Sequence, residues 1–256
     1  ILNDLNKSKF SHENFSSKGS VKIFSKGTSI EHQTQVKSCI DYIYQGEIFQ
    51  ANLSRLWRFK VDEELTDIDI YRKLREKNPA PFAGIVRYKK SSIISSSPER
   101  LISISGDHLQ TRPIAGTRPR GTSGIVDVEL TRELINSDKE KAEHLMLVDL
   151  ERNDISKVCE PGSVRVDEMM SIETYAHVHH IVSNISGKKR KNINPGEIIK
   201  SVFPGGTITG CPKVRCMEIL AELEKEGRGP YTGSFGYVTH SAVSYTHLRA
   251  HETDRY

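Results

Sequence analysis

The chain has 256 residues, 36% hydrophobic and 27% charged, with a formal net charge of +4. This balance fits a soluble globular protein with one large core or two small ones. No apolar run approaches the roughly 18 residues of a helical span, so no transmembrane helix is indicated, and the lysines and arginines are scattered apart from Lys188 to Lys191, so no nucleic-acid footprint is visible.

Residues 1–35 are rich in Ser, Lys, Asn and His without a sustained period and read as a linker or the remnant of an N-terminal region. Val36, Ile40, Ile43 and Tyr44 predict an amphipathic helix over Val36 to Gln45. Phe49 to Val61 alternates in places (Leu53, Leu56, Trp57, Phe59) and reads as a strand. Ile68 to Lys77 is helical and is stopped by Asn78-Pro79. Phe82 to Tyr88 and Ser92 to Ser97 are strands, and Leu101 to Ser105 with His108 to Arg112 form a hairpin around Gly106-Asp107. Asp127 to Ile135 and Asp138 to Asp149 are helices. Ser163 to Tyr175 and His177 to Ser186 are strand-rich. Asn194-Pro195-Gly196 opens a helix reaching Val202, and a last helix follows over Lys213 to Glu226. Strands in groups with helices between them predict an α+β class in a large layered fold.

Several residues stand out chemically. Phe203-Pro204-Gly205-Gly206-Thr207-Ile208-Thr209-Gly210 precedes a basic helix. Glycines let a backbone approach a ligand, and a helix N-terminus adds positive partial charge, so the run reads as an anion cradle. Glu140 and Glu143 are three apart on a predicted helix and share one face, an arrangement suited to a hard divalent cation. Glu218 and Glu222 also share a face, on another helix, and read as solvent-facing or paired with Lys or Arg. Among His177, His179 and His180, alternation puts the first two on one face and His180 on the other. Cys39, Cys159, Cys211 and Cys216 lack metal spacing and suit a reducing cytoplasm as free thiols. Cys211, beside the glycines, reads as a small packing residue. No basic leader precedes an apolar run at the N-terminus, so a cytoplasmic location is expected.

Five blocks in register resemble the chorismate-utilising enzymes, among them anthranilate synthase component I and aminodeoxychorismate synthase component I. They are Pro113-Ile114-Ala115-Gly116-Thr117-Arg118-Pro119-Arg120-Gly121, the run Glu140 to Asp154, His177 to Ser183, the glycine run Phe203 to Arg215, and Gly229-Pro230-Tyr231-Thr232-Gly233-Ser234. The resemblance spans about Val36 to Tyr237. It implies a chorismate-binding catalytic domain over 36–240, of the anthranilate synthase component I fold type and C-terminally incomplete. Residues 241–256 match nothing in the family and are read as a non-native tail. The resemblance makes Glu140 and Glu143 ligands of Mg²⁺, with the other half of the metal site expected beyond this chain. His180 becomes the active-site histidine and Glu99 a general acid at the departing ring hydroxyl. Gly205, Gly206, Thr207 and Tyr231 become substrate-binding residues. Thr117 is expected in the pocket wall. Arg118 and Arg120 either attract a dianion or tie the loop to a carboxylate.

Members that add water resemble the chain at Phe49-Gln50-x-Asn52-Leu53 but carry a Lys near x. Here Ala51 stands, which implies ammonia as nucleophile and a glutamine amidotransferase as partner. The Pro-Gly-Gly-Thr run at 204–207 resembles aminodeoxychorismate synthase, the branch leading to 4-aminobenzoate and folate. Ala115 is the anthranilate synthase residue. The expectation is aminodeoxychorismate synthase component I, with anthranilate synthase component I as the alternative and an inactive ligand- or partner-binding fragment as a second one.

Overall fold

The computed structural model describes residues 21–26, 29–239 and 244–247. β1 (Val21–Lys26) pairs antiparallel with β3 (Trp57–Val61), and α1 (Ser29–Tyr44) lies between them in the chain. The stretch read as a linker thus carries a strand and the first turns of a helix, while residues 1–20 lie outside the described residues. The periodicity missed those turns because they are solvated: Ile30 is 77% exposed. Their helical cue is electrostatic, Glu31 in the first turn against the helix dipole.

The strand predicted over Phe49 to Val61 is split into β2 (Gln50–Ala51) and β3. Between them the backbone bonds outside any ladder. Asn52 N–H donates to Thr209 O, and Ser54 N–H donates to the Glu224 carboxylate at 2.7 Å. α2 (Asp67–Lys77) starts on a capping box in which Thr66 and Asp69 satisfy each other's backbone N–H. β4 (Phe82–Tyr88) and β5 (Ser91–Ser97) form one hairpin. β6 (Arg100–Ser105) and β7 (His108–Thr111) form the next, turned at Gly106 with φ 63°, which glycine adopts without a Cβ penalty.

β8 (Ile114–Pro119) precedes α3 (Gly124–Asn136) and α4 (Asp138–Ser156). β9 (Arg165–Thr174), β10 (Val178–Lys188) and α5 (Pro195–Val202) follow. A 3-10 turn at Gly206–Ile208 leads to β11 (Gly210–Cys211) and α6 (Lys213–Glu224). β12 (Phe235–Val238) and β13 (Ser244–His247) complete the described elements. β13 falls within the stretch read as a tail and pairs with both β12 and β6. The rest of that stretch lies outside the described residues.

The main sheet runs β12-β13-β6-β7-β10-β8, with β9 also paired to β10. β10 is its hub. Its first half pairs with β8, its second half with β7, and β9 pairs along most of its length, all antiparallel. Every residue from His179 to Gly187 is buried, because other elements cover both faces of this strand. One core joins Leu101, Ile102, Ile104, Leu109 and Ile185 of the sheet to Val148 and Ile155 of α4 and Ile198 and Val202 of α5. A second joins Cys39 of α1 and Ile48 to Cys216, Ile219 and Leu220 of α6. Among the described residues no helix is long and apolar enough to cross a membrane.

Candidate active site

α4 is capped by Ser137, whose hydroxyl accepts from Glu140 N–H at 3.4 Å, and carries Asp138 and Glu140 in its first turn. Glu140 and Glu143 are both half-buried on one face. The Glu140 carboxylate lies against Gly116 of β8, where an added Cβ would stand 3.2 Å from Oε2. Gly116 also has φ 76°, a conformation that favours glycine. Arg118 Nη1 donates to Glu140 Oε1 at 3.3 Å, and Gln50 Nε2 donates to Glu143 Oε1 at 2.7 Å. Burial first, then the neighbouring Glu140 charge, pushes the Glu143 carboxyl above the usual range.

Glu99 follows β5 and is 1% exposed. It accepts from the Thr207 hydroxyl at 3.0 Å and from Ile114 N–H at 3.2 Å. His180 Nδ1 lies 2.9 Å from the Thr117 hydroxyl, and its ring is tilted against Tyr175 with centroids 5.7 Å apart. β8 is therefore the strand common to all three groups. Ile114 holds Glu99, Gly116 admits Glu140, and Thr117 holds His180.

The glycine run differs from the expected cradle at a helix N-terminus. Gly206 brings the 3-10 turn against α4, since a Cβ there would meet Leu150 Cδ2 at 2.5 Å. Gly210 has φ 139°, and a Cβ would stand 2.1 Å from Gln50 O. Lys213, at the start of α6, turns back to an ion pair with Asp154, which is 3% exposed. Gly206 and Gly210 thus serve close packing. Gly205, Gly206 and Thr207 still line one turn, whose leading N–H groups have no intrahelical acceptor. Tyr231 packs on Arg228, 5.6 Å from ring centre to guanidinium, and Arg228 donates to Ile208 O of that turn at 3.1 Å.

The expected sharing of a face by His177 and His179 is corrected. His177 is exposed and precedes β10, whereas His179 and His180 are both buried. A register shift between His180 and Ile181 against β8 breaks the simple alternation. His179 bonds Asp127 Oδ1 through Nε2 at 2.9 Å and Thr174 through Nδ1 at 2.8 Å, so it pins α3 to the sheet. Arg120, the Gly121 N–H and His179 together hold the Asp127 carboxyl far below its usual value of 3.8. A carboxyl lowered on folding contributes its full stability above its unfolded value and loses it progressively as the pH falls from there through the lower folded value. The stability gap between the parent chain and Asp127→Asn should therefore be constant above about pH 4, narrow as the pH falls below it, and close only where the folded carboxyl itself takes up a proton.

Arg118 bonds Glu133 and Glu140, and Arg120 bonds Asp127, so both tie loops to carboxylates. Glu218 is exposed and pairs with Arg215 at 2.9 Å. Burial pushes the Cys159 and Cys216 thiols up to about 11 and raises Cys211, which disfavours a nucleophilic thiolate at each of the three. Among the described residues no three His, Cys, Asp or Glu side chains are arranged around a metal. A cavity of about 960 Å³ lies elsewhere, between α1, β3 and the end of α6, with Tyr231 on its wall.

Gln50, Arg118 as the partner of Glu140, and His144 were not singled out as site residues. Gln50 and Arg118 have long-range partners that leave no local signal. His144 had one: with Leu147, Val148, Glu151 and Ile155 it marks the buried stripe of α4 at helical spacing.

Residues 3–247 match the family model of chorismate binding enzymes, and the chain belongs to that family. It is 51% identical to aminodeoxychorismate synthase component 1 of Bacillus subtilis over 79% of this chain and 43% of that protein. It is 47% identical to an anthranilate synthase component I-like protein of Synechocystis over 81% of this chain and 43% of that protein. It spans less than half the length of these curated relatives. The structure overlays anthranilate synthase component I of Streptococcus pneumoniae with a TM-score of 0.80 and 32% identity, covering 96% of this chain and 54% of that one. The α+β fold is thus of the component I type. A menaquinone-specific isochorismate synthase of Escherichia coli shares that fold at 16% identity and a TM-score of 0.75, covering 91% of this chain and 52% of that one.

Proposed function

We propose that the chain is the chorismate-binding part of an aminating synthase whose product is aminodeoxychorismate. The observation that carries this reading is the convergence on β8, which joins a carboxylate pair, a buried glutamate and a buried histidine. Glu140 and Glu143 offer one face of hard oxygen ligands, and their mutual repulsion is relieved by a cation, which fits Mg²⁺. Bound there, Mg²⁺ would neutralise a substrate carboxylate. Glu99 and His180 would stand at the ring hydroxyl and supply the proton with which it leaves as water. The turn at Gly205, Gly206 and Thr207 would offer amide and hydroxyl donors to the substrate, with Tyr231 beside it.

Ala51 packs against the core between α1 and α6 and has no group to activate water. That favours ammonia as nucleophile, supplied by a glutamine amidotransferase. The second reading, anthranilate as product, is favoured by Ala115, buried in β8, and by the mixed names of the relatives. Given chorismate, Mg²⁺ and ammonium, the native-length protein should form aminodeoxychorismate, which a lyase converts to 4-aminobenzoate. Anthranilate fluorescence without the lyase would decide for the second reading.

A further inference from the structure

His144 follows Glu143 on α4 and points the other way, into the protein, where it is fully buried. Its Nε2 lies 2.6 Å from the hydroxyl of Ser183, also fully buried, on β10. Ser183 stands three residues after His180. The same hydroxyl oxygen accepts from Met170 N–H at 2.9 Å and lies 3.6 Å from Met169 Sδ. Those methionines form a bulge in β9. Val182 pairs with Ser171 and Asn184 with Glu168, so two residues oppose Ser183. Met170 takes φ 53°, a left-handed conformation that a side-chain-bearing residue adopts only when its surroundings enforce it. One oxygen therefore gathers α4, β10 and β9.

Proton accounting assigns the tautomer. A serine hydroxyl has two acceptor lone pairs and one proton. Met170 N–H takes one lone pair. If His144 carries its proton on Nε2, it takes the other, and the hydroxyl proton points at Met169 Sδ. Among the described residues His144 Nδ1 has no partner, so this choice leaves a bare lone pair there. The opposite tautomer would bury an N–H with no acceptor, the costlier orphan.

We infer that His144, protonated on Nε2, is a positioning residue. Through Ser183 it locks α4, β10 and the β9 bulge together, and so sets where Glu140 and Glu143 stand relative to His180. The inference rests on the proposed function for its catalytic consequence and on the hydrogen bonds alone for the tautomer. A leucine would fill the same space but would leave α4 free to shift along β10.

The test compares His144→Leu, His144→Gln and Ser183→Ala in the native-length protein, well below each variant's Tm. His144→Leu and Ser183→Ala should lower kcat for chorismate by about tenfold or more with KM changed less than about threefold. Glutamine presents an amide N–H near the position of Nε2, so His144→Gln should recover most of kcat while its Tm stays depressed. A role in stability alone would move Tm in all three and leave kcat intact, which would overturn the inference, as would glutamine doing no better than leucine. Nitrogen-15 NMR of labelled histidine should show His144 protonated on Nε2, and an Nδ1–H tautomer would also overturn it. If His144→Leu does not fold, Ser183→Ala, which removes a single oxygen, carries the kinetic comparison. Full turnover in His180→Ala and Glu143→Gln controls would instead sink the proposed function, with the NMR result still deciding the hydrogen-bond assignment.

Discussion

Gly210→Ala is expected to destabilise the fold by about 3 kcal/mol or more, through backbone strain and overlap acting together. At φ 139° the backbone lies in a region that side-chain-bearing residues rarely enter. The new methyl would stand 2.1 Å from Gln50 O and 2.5 Å from Cys216 Sγ. The first obstacle is backbone and cannot rotate away. Relief requires separating β11 from β2, where Gly210 pairs with Ala51. That movement would also displace Gln50, whose amide holds Glu143, so a change made for packing should reach the site. Gly227→Ala is the control, since a methyl there meets nothing within 4 Å. Urea midpoints measure both. A Gly210→Ala chain within about 1 kcal/mol of the parent would show that the close approach of β2 and β11 is not needed.

β4 is observed at its predicted bounds, Phe82 to Tyr88, and the elements that carry local signals are met to within about a residue. Thr66 and Asp69 box the start of α2, and Asn194, Pro195 and Glu197 mark α5. Gly106 turns the β6–β7 hairpin. β8 had no such mark. Its Gly116 and Pro119 are poor strand formers, and it is a strand because β10 pairs with it. β10 in turn hides its faces, since burial on both sides removes the alternation that separates them. The site followed the same rule. Glu140 and Glu143 are legible as a helical pair, but Glu99 and Thr207 lie 108 residues apart and no spacing connects them. Only the resemblance to a family placed them together. The glycine run has a second cause that the sequence hides. Glycines before a helix suggest a ligand, and Gly206 and Gly210 are also needed for the close approach of Leu150 and Gln50, contacts that only the folded chain reveals.

Glu143→Gln is expected to lower activity by about 10² or more, because an amide is a weak ligand for a hard cation and one lost charge contact removes several kcal/mol of transition-state stabilisation. The direction of its effect on stability separates this from damage to the fold. In the parent, Glu143 is half-buried beside Glu140, and both burial and that like charge oppose its ionisation. A neutral amide removes both terms and keeps a carbonyl oxygen to accept from Gln50. The metal-free variant should therefore be at least as stable as the parent while binding Mg²⁺ more weakly. Glu218→Gln is the matched control. It makes the same chemical change at an exposed carboxylate paired to Arg215 at 2.9 Å, and it should leave Mg²⁺ affinity and turnover near the parent values. Calorimetric titration with Mg²⁺, thermal unfolding without metal and chorismate turnover, run on all three proteins, decide the matter. Equal loss in both variants would remove Glu143 from the metal site. Loss of activity together with a lowered Tm in Glu143→Gln alone would give that carboxylate a structural role through Gln50 instead.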